Sequence, residues 1–198
     1  IMKDHTPIEI KNYLTDEFSD NAVSFIDKTQ KDPFFLFVSY NAPHTPLQAT
    51  EKYLSRFEHI KDPKRRTYAA MVSAVDDGVG KILDQLEAKG LNENTLVFFL
   101  SDNGGPEHAN SSDNGLLREG KGSIYEGGNR IPFAMQWPGE LSPMVYDYPV
   151  SALDLMATFA DLADAPLAED RPLDGVNIIP YLKGKKKGSP HSTLYIRK

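Results

Sequence analysis

TLVFFLSDNGG, residues 95–105, is an unbroken apolar run that ends abruptly in Ser-Asp-Asn-Gly-Gly. A run this short and aromatic, without alternation, reads as a strand covered on both faces, the habit of parallel sheets. FFLFVSY, residues 34–40, has the same character. Between the two runs, Val72, Val75, Val79, Ile82, Leu83 and Leu86 recur at spacings of three and four. That is one stripe of an amphipathic helix, and Lys89-Gly90 closes it with a cation followed by glycine. Strand, long helix, strand predicts a right-handed crossover unit. The exit through Asp102-Asn103-Gly104-Gly105 has two physical readings. Asx and Gly residues are the commonest turn formers, and Asp and Asn also carry the hard oxygens that Ca²⁺ and Mg²⁺ require.

Outward from this unit, Thr15-Asp16 and Ser19-Asp20 offer N-caps for a helix carrying Val23, Phe25 and Ile26. IPFAMQWP, residues 131–138, predicts a third strand. A helix is expected over about 151–163, with Leu153, Met156, Ala157, Ala160 and Leu162 as its packing face. The alternation of helices and strands predicts an α/β class with a mainly parallel sheet. There is no internal repeat. KGKKKG at 183–188 reads as a solvated loop, and the final STLYIRK as the start of another strand. The chain of 198 residues fits one domain or a large part of one, and both ends are expected to be cut. A net charge of −6 argues against a general nucleic-acid binder. Cysteine is absent, which excludes disulfides, thiolate metal sites and a cysteine nucleophile within this sequence. No apolar run approaches the roughly 18 residues of a membrane span.

In open α/β sheets, ligands bind beyond the carboxyl ends of the strands. The first run continues into NAPHTPL, which sets His44 between two prolines, and the second into DNGG, so both exits are expected on one rim. From Asp102 to the third strand the link spans about 29 residues, and loops of that length are usually functional or disordered. This one holds LLREGKGSIYEGGNRIP, with Arg118, Lys121 and Arg130 threaded through glycines. Backbone amides and cations in such a loop suit a small oxyanion.

The order APHTPL, YAAMVSAVDDGVGKILDQLEAKG, SDNGG, LREGKGSIYEGGNRIP and LDGVNIIPYLKG resembles the sulfatase family, of the arylsulfatase and N-acetylhexosamine-sulfatase type. The likeness runs from YLTD at 13–16 through nearly the whole chain. It implies an alkaline-phosphatase-like α/β fold, of which residues 1–198 would be the C-terminal portion of the catalytic domain. It also implies hydrolysis of sulfate esters, on a sulfated sugar or aryl sulfate, at a divalent cation, usually Ca²⁺ with Mg²⁺ as the alternative. By the same resemblance Asp102 and Asn103 fall at two metal ligands, and Lys121 at the lysine that grips sulfate oxygens. His44 falls at the histidine beside the scissile ester. Export to the periplasm, the exterior or a lysosome-type compartment is common among such proteins. The family's formylglycine motif, C/S-x-P-x-R, does not occur in this sequence, nor do its first two aspartate ligands; both are expected upstream of Ile1. The usual N-G-P-L-R-G-G-K reads Asn114 to Lys121 here, with Leu116 and Glu119 replacing Pro and Gly, and Asn129 stands where an aliphatic residue is commoner. The chain on its own is therefore expected to be inactive.

Other polar residues have plainer readings. Adjacent helical positions point about 100° apart, so Asp76 and Asp77 are not a metal pair; Asp76 is expected at the border of the packed stripe and Asp77 in solvent. His59 is expected on the surface, His108 on a surface loop near the DNGG turn, and His191 without a partner. Arg118 is expected to brace its loop through a carboxylate, and Glu126 with Arg130 to pair locally. Two alternatives stay open: a phosphoesterase or phosphonate hydrolase of the same superfold, and a non-catalytic binder of sulfated glycans.

Overall fold

A computed structural model describes residues 1–29, 31–168 and 170–197. They fall into two compact units, residues 1–139 and 140–197. In the first, a two-residue ladder, β1 (Met2–Lys3) with β2 (Thr6–Pro7), precedes helix α1 (Leu14–Thr29). Next come α2 (Glu51–Leu54) and the long α3 (Pro63–Ala88), then β3 (Val97–Leu100), α4 (Glu107–Asn110), α5 (Glu126–Asn129) and β4 (Phe133–Gln136). The second unit holds α6 (Leu153–Leu162) and α7 (Ile179–Leu182). No helix among the described residues is long and apolar enough to cross a membrane.

Helix α3 starts where its sequence says it should. The Asp62 carboxylate accepts from the Arg65 amide at 2.6 Å, and Pro63 takes the first turn, where its missing N–H costs nothing. It stops at Lys89, followed by Gly90 with φ of +66°. Its buried face carries Ala70, Met71, Ala74, Val75, Gly78 and Leu86, whereas Val72, expected in the stripe, is 41% exposed. Helix α1 crosses α3 closely. Thr15 and Ser19 are not caps: they lie inside α1 and are buried against its partner. The Ser19 hydroxyl donates to the Thr15 carbonyl and sits 2.9 Å from the Tyr40 hydroxyl. A side chain at Gly78 would occupy the space those two hydroxyls fill, so glycine there sets the helix separation. Around this contact, Ala42, Met71 and Val75 form one apolar cluster, and Tyr53, Ala70 and Ala74 another. Tyr53 is fully buried, and its hydroxyl donates to Asp16 at 2.5 Å. Burial and that carboxylate both push its pKa upward.

The mainly parallel sheet expected from the sequence is not formed among the described residues. β3 pairs β4 antiparallel, with Val97 opposite Gln136 and Leu100 opposite Phe133. Residues 34–40 join no ladder; they alternate half-buried with exposed positions, and Phe35 and Phe37 are 66% and 76% exposed. A continuous apolar run cannot reveal which strand will take the neighbouring edge, and here β4 takes it.

In the second unit α6 also departs from expectation. Leu153, Met156 and Leu162 are exposed, and the buried positions are Asp154, Thr158 and Ala160. The face is polar because it organises backbone. Asp154 accepts from the Ser151 amide at 2.7 Å and the Val176 amide at 2.9 Å, while Thr158 accepts from the Ile178 amide at 3.2 Å. His191 has a partner after all: its Nε2 lies 2.9 Å from both Asp154 oxygens. Residues 192–197 form no strand. The lysine-rich stretch is exposed over 184–188, while Lys183 bonds Glu140.

Candidate functional site

β3 ends at Leu100, and the Ser101 hydroxyl donates to the Asn103 carbonyl at 2.8 Å, a local bond that accompanies the turn of residues 102–103 out of the strand. Asp102 is exposed, and its carboxylate accepts no hydrogen bond among the described residues. Asn103 is half-buried and donates through Nδ2 to the Gly104 carbonyl at 3.0 Å. Two oxygen-bearing residues thus follow directly on the end of a strand.

Beyond Asn103 three backbones meet. Gly104 donates to the Gly128 carbonyl at 3.0 Å, and Gly127 donates to the Arg118 carbonyl at 2.9 Å. Cβ atoms at 104, 127 or 128 would each collide with main chain, so three glycines let the DNGG turn, the start of α5 and the 118–120 segment touch. Arg118 braces the loop differently from expectation. Its guanidinium lies 3.7 Å from the Tyr125 ring centroid, a stacking contact, while Glu119 is only loosely paired at 3.9 Å. Glu126 and Arg130 pair at 3.8 Å, both well exposed.

The 118–127 segment presents Lys121 to His44. Lys121 Nζ lies 3.3 Å from His44 Nε2, and His44 Nδ1 lies 2.7 Å from the Thr45 carbonyl. A carbonyl only accepts, so the ring proton belongs on Nδ1 and Nε2 offers its lone pair to the ammonium. Both side chains are exposed, and Lys121 has no ion pair among the described residues. An unneutralised ammonium beside an imidazole is suited to an anion.

The aspartates weighed against metal binding exchange their expected places. Asp76, expected at the border of the packed stripe, is exposed, and Asp77, expected in solvent, is half-buried: Arg56 grips it with two bonds of 2.7 and 2.8 Å, and that pairing lowers its pKa. His59 and His108 are exposed, and the His108 carbonyl accepts from Lys64 at 2.7 Å. No group of three or more His, Asp or Glu side chains placed to hold a metal occurs among the described residues. For an ion that takes six to eight oxygens, Asp102 and Asn103 fit as two of the ligands and no more.

Sequence reading missed Asn114. Its Oδ1 accepts from the Gly105 amide at 2.9 Å, and its Nδ2 donates to the Gly105 and Glu119 carbonyls at 2.8 and 3.0 Å. The only signal was its place at the head of the Asn114–Lys121 motif.

A family model described as Sulfatase matches residues 2–165. The chain belongs to the sulfatase family. It is 37% identical to an uncharacterized sulfatase, YdeN, of Escherichia coli (strain K12), over 98% of this chain and 35% of that protein. It is 36% identical to an arylsulfatase of Hemicentrotus pulcherrimus, over 92% of this chain and 32% of that one. Among solved structures, the crystal structure of Ps i-CgsB in complex with k-i-k-neocarrahexaose superimposes with a TM-score of 0.88 at 44% identity. That match covers 95% of this chain and 42% of the other. The chain thus spans about a third of the length of the curated relatives it matches.

Proposed function

We propose that this chain is the C-terminal portion of the catalytic domain of a sulfatase that hydrolyses sulfate esters, with a sulfated carbohydrate as the favoured substrate class. The single observation that carries the reading is the approach of Lys121 Nζ to His44 Nε2 at 3.3 Å. It lies on the loop system that also ends β3 at Asp102-Asn103. In this reading the Lys121 ammonium holds the sulfate oxygens as negative charge develops, and His44 binds sulfate or assists the leaving oxygen. Asp102 and Asn103 supply two oxygen ligands to a divalent cation, Ca²⁺ before Mg²⁺. When bound, that ion neutralises charge on the sulfate group. The nucleophile, a formylglycine in the family, lies outside this sequence. The alkaline-phosphatase-like sheet belongs to the same proposal, with residues 34–40 as one of its strands. A carbohydrate substrate is supported by the k-i-k-neocarrahexaose in the 44% identical structure.

The test is sulfate release by the full-length protein from an aryl sulfate and from sulfated saccharides, with and without a chelator, beside release from an aryl phosphate and an aryl phosphonate ester. Chelator-sensitive release supports the reading. Release of phosphate or phosphonate alone moves it to the sister hydrolases. Tight binding of sulfated glycan without release makes the protein a lectin-like binder.

A further inference from the structure

We infer that Asn114 is a positioning residue whose carboxamide fixes the spacing between the Asp102-Asn103 pair and Lys121. The inference rests on the sulfatase reading for its functional consequence, but its structural content stands on three hydrogen bonds. Oδ1 and Nδ2 together close a two-point bond on the main chain of Gly105, accepting at 2.9 Å and donating at 2.8 Å. The second Nδ2 hydrogen reaches the Glu119 carbonyl at 3.0 Å. Gly105 is two residues beyond Asn103, and Glu119 two residues before Lys121. One side chain therefore joins the backbone carrying the proposed metal ligands to the backbone carrying the cation.

Chemistry fixes its orientation and identity. The Gly105 N–H needs an acceptor, and two carbonyls need donors, so only a carboxamide with its oxygen toward Gly105 N satisfies all three. Aspartate would set carboxylate oxygen against two carbonyls. Serine is too short to reach both segments. The Asn114 amide itself donates to Glu107 Oε1 at 2.8 Å, which anchors the residue from α4. Glycine at 120 completes the fit: a Cβ there would crowd the Gly105 carbonyl and come within 2.9 Å of Asn114 Nδ2. The bridge is thus built into the loop from both ends. In a site where a displacement of about 1 Å costs on the order of 10²-fold in rate, such a bridge acts on catalysis without touching substrate.

The experiment compares the full-length wild type with Asn114→Asp and Asn114→Ser. Amide hydrogen exchange is read over 103–105, 118–122 and, as an internal fold control, 63–88. Inorganic sulfate binding is measured by calorimetry in calcium buffer, and kcat and KM are measured on an aryl sulfate. Expected are exchange at least about tenfold faster over both 103–105 and 118–122 with 63–88 unchanged, sulfate affinity weakened about tenfold, and kcat reduced about 10²-fold. Unchanged exchange in either loop segment overturns the inference. So does sulfate affinity equal to wild type, and so does global loss of protection in both variants, which would make Asn114 a folding residue. A wild type that releases no sulfate defeats the functional reading alone, because the exchange result still decides whether the bridge exists.

Discussion

Replacing Gly104 with alanine probes the point where three main-chain segments meet, and the local geometry sets the size of the effect. An ideal Cβ on residue 104 would lie 2.7 Å from the Gly127 carbonyl carbon and 3.2 Å from Gly128 Cα, with the Gly127 oxygen nearer still. Ordinary contact begins near 3.4 Å, and the obstacles are backbone rather than flexible side-chain ends. The DNGG turn must therefore back away from α5 by more than an ångström to clear the Gly127 oxygen, and the 3.0 Å bond from Gly104 N–H to the Gly128 carbonyl is lost with it. Overpacking of this kind costs about 1–3 kcal/mol, and the lost bond about 1 kcal/mol more. Because Asn103 is covalently next to the displaced residue, the proposed metal ligands move away from Lys121, and activity should fall on the order of 10²-fold. The assay pairs thermal unfolding with sulfate release at saturating calcium, using full-length protein. A Gly104→Ala variant with wild-type midpoint and wild-type turnover would refute the claim that glycine contacts hold this junction.

The same geometry predicts three other outcomes. Gly80 faces open space in the interior of α3, so Gly80→Ala should stabilise the protein by about 0.5–1 kcal/mol in a denaturant titration, opposite in sign to Gly104→Ala. Lys121→Gln should leave the unfolding midpoint within experimental scatter, since the side chain is exposed, while lowering sulfate release about 10²–10³-fold; equal turnover would remove Lys121 from the site. The Asp77 carboxyl is held below its ordinary value of 3.8, chiefly by the hydrogen bond from Arg56. A lowered folded-state pKa contributes stability that is complete above 3.8 and fades as pH falls below it. Arg56→Gln should therefore lower the unfolding midpoint at about pH 6, and its difference from wild type should narrow as the pH falls below 3.8. A gap independent of pH would show that the pair does not act through charge.

What the sequence made legible were the features written in local chemistry. Asp62-Pro63 and Lys89-Gly90 bound α3 because caps act over one turn, and SDNGG ends β3 because Ser101 and Asn103 bond within three residues of one another. No periodicity spans the 77 positions between His44 and Lys121: the strand exits suggested a shared rim, and only family likeness paired the two side chains. What failed did so where a partner decides the outcome. The apolar run at 34–40 says that a strand is favoured there, but which edge it joins is a property of the other strand. On α6, hydrophobic residues at helical spacing pointed to an apolar face, yet of those residues only Ala160 is buried, and it lies beside Asp154 and Thr158, because the backbone of 174–178 needed acceptors. An unpaired buried N–H costs about 1–3 kcal/mol. That is comparable to the gain from burying one leucine side chain, about 1.5–3 kcal/mol. Satisfying the amides of Val176 and Ile178 can therefore turn a helix against its own hydrophobic pattern. The same accounting explains Asn114: its importance lies in one donor and two acceptors belonging to other segments, a demand that no window around residue 114 contains.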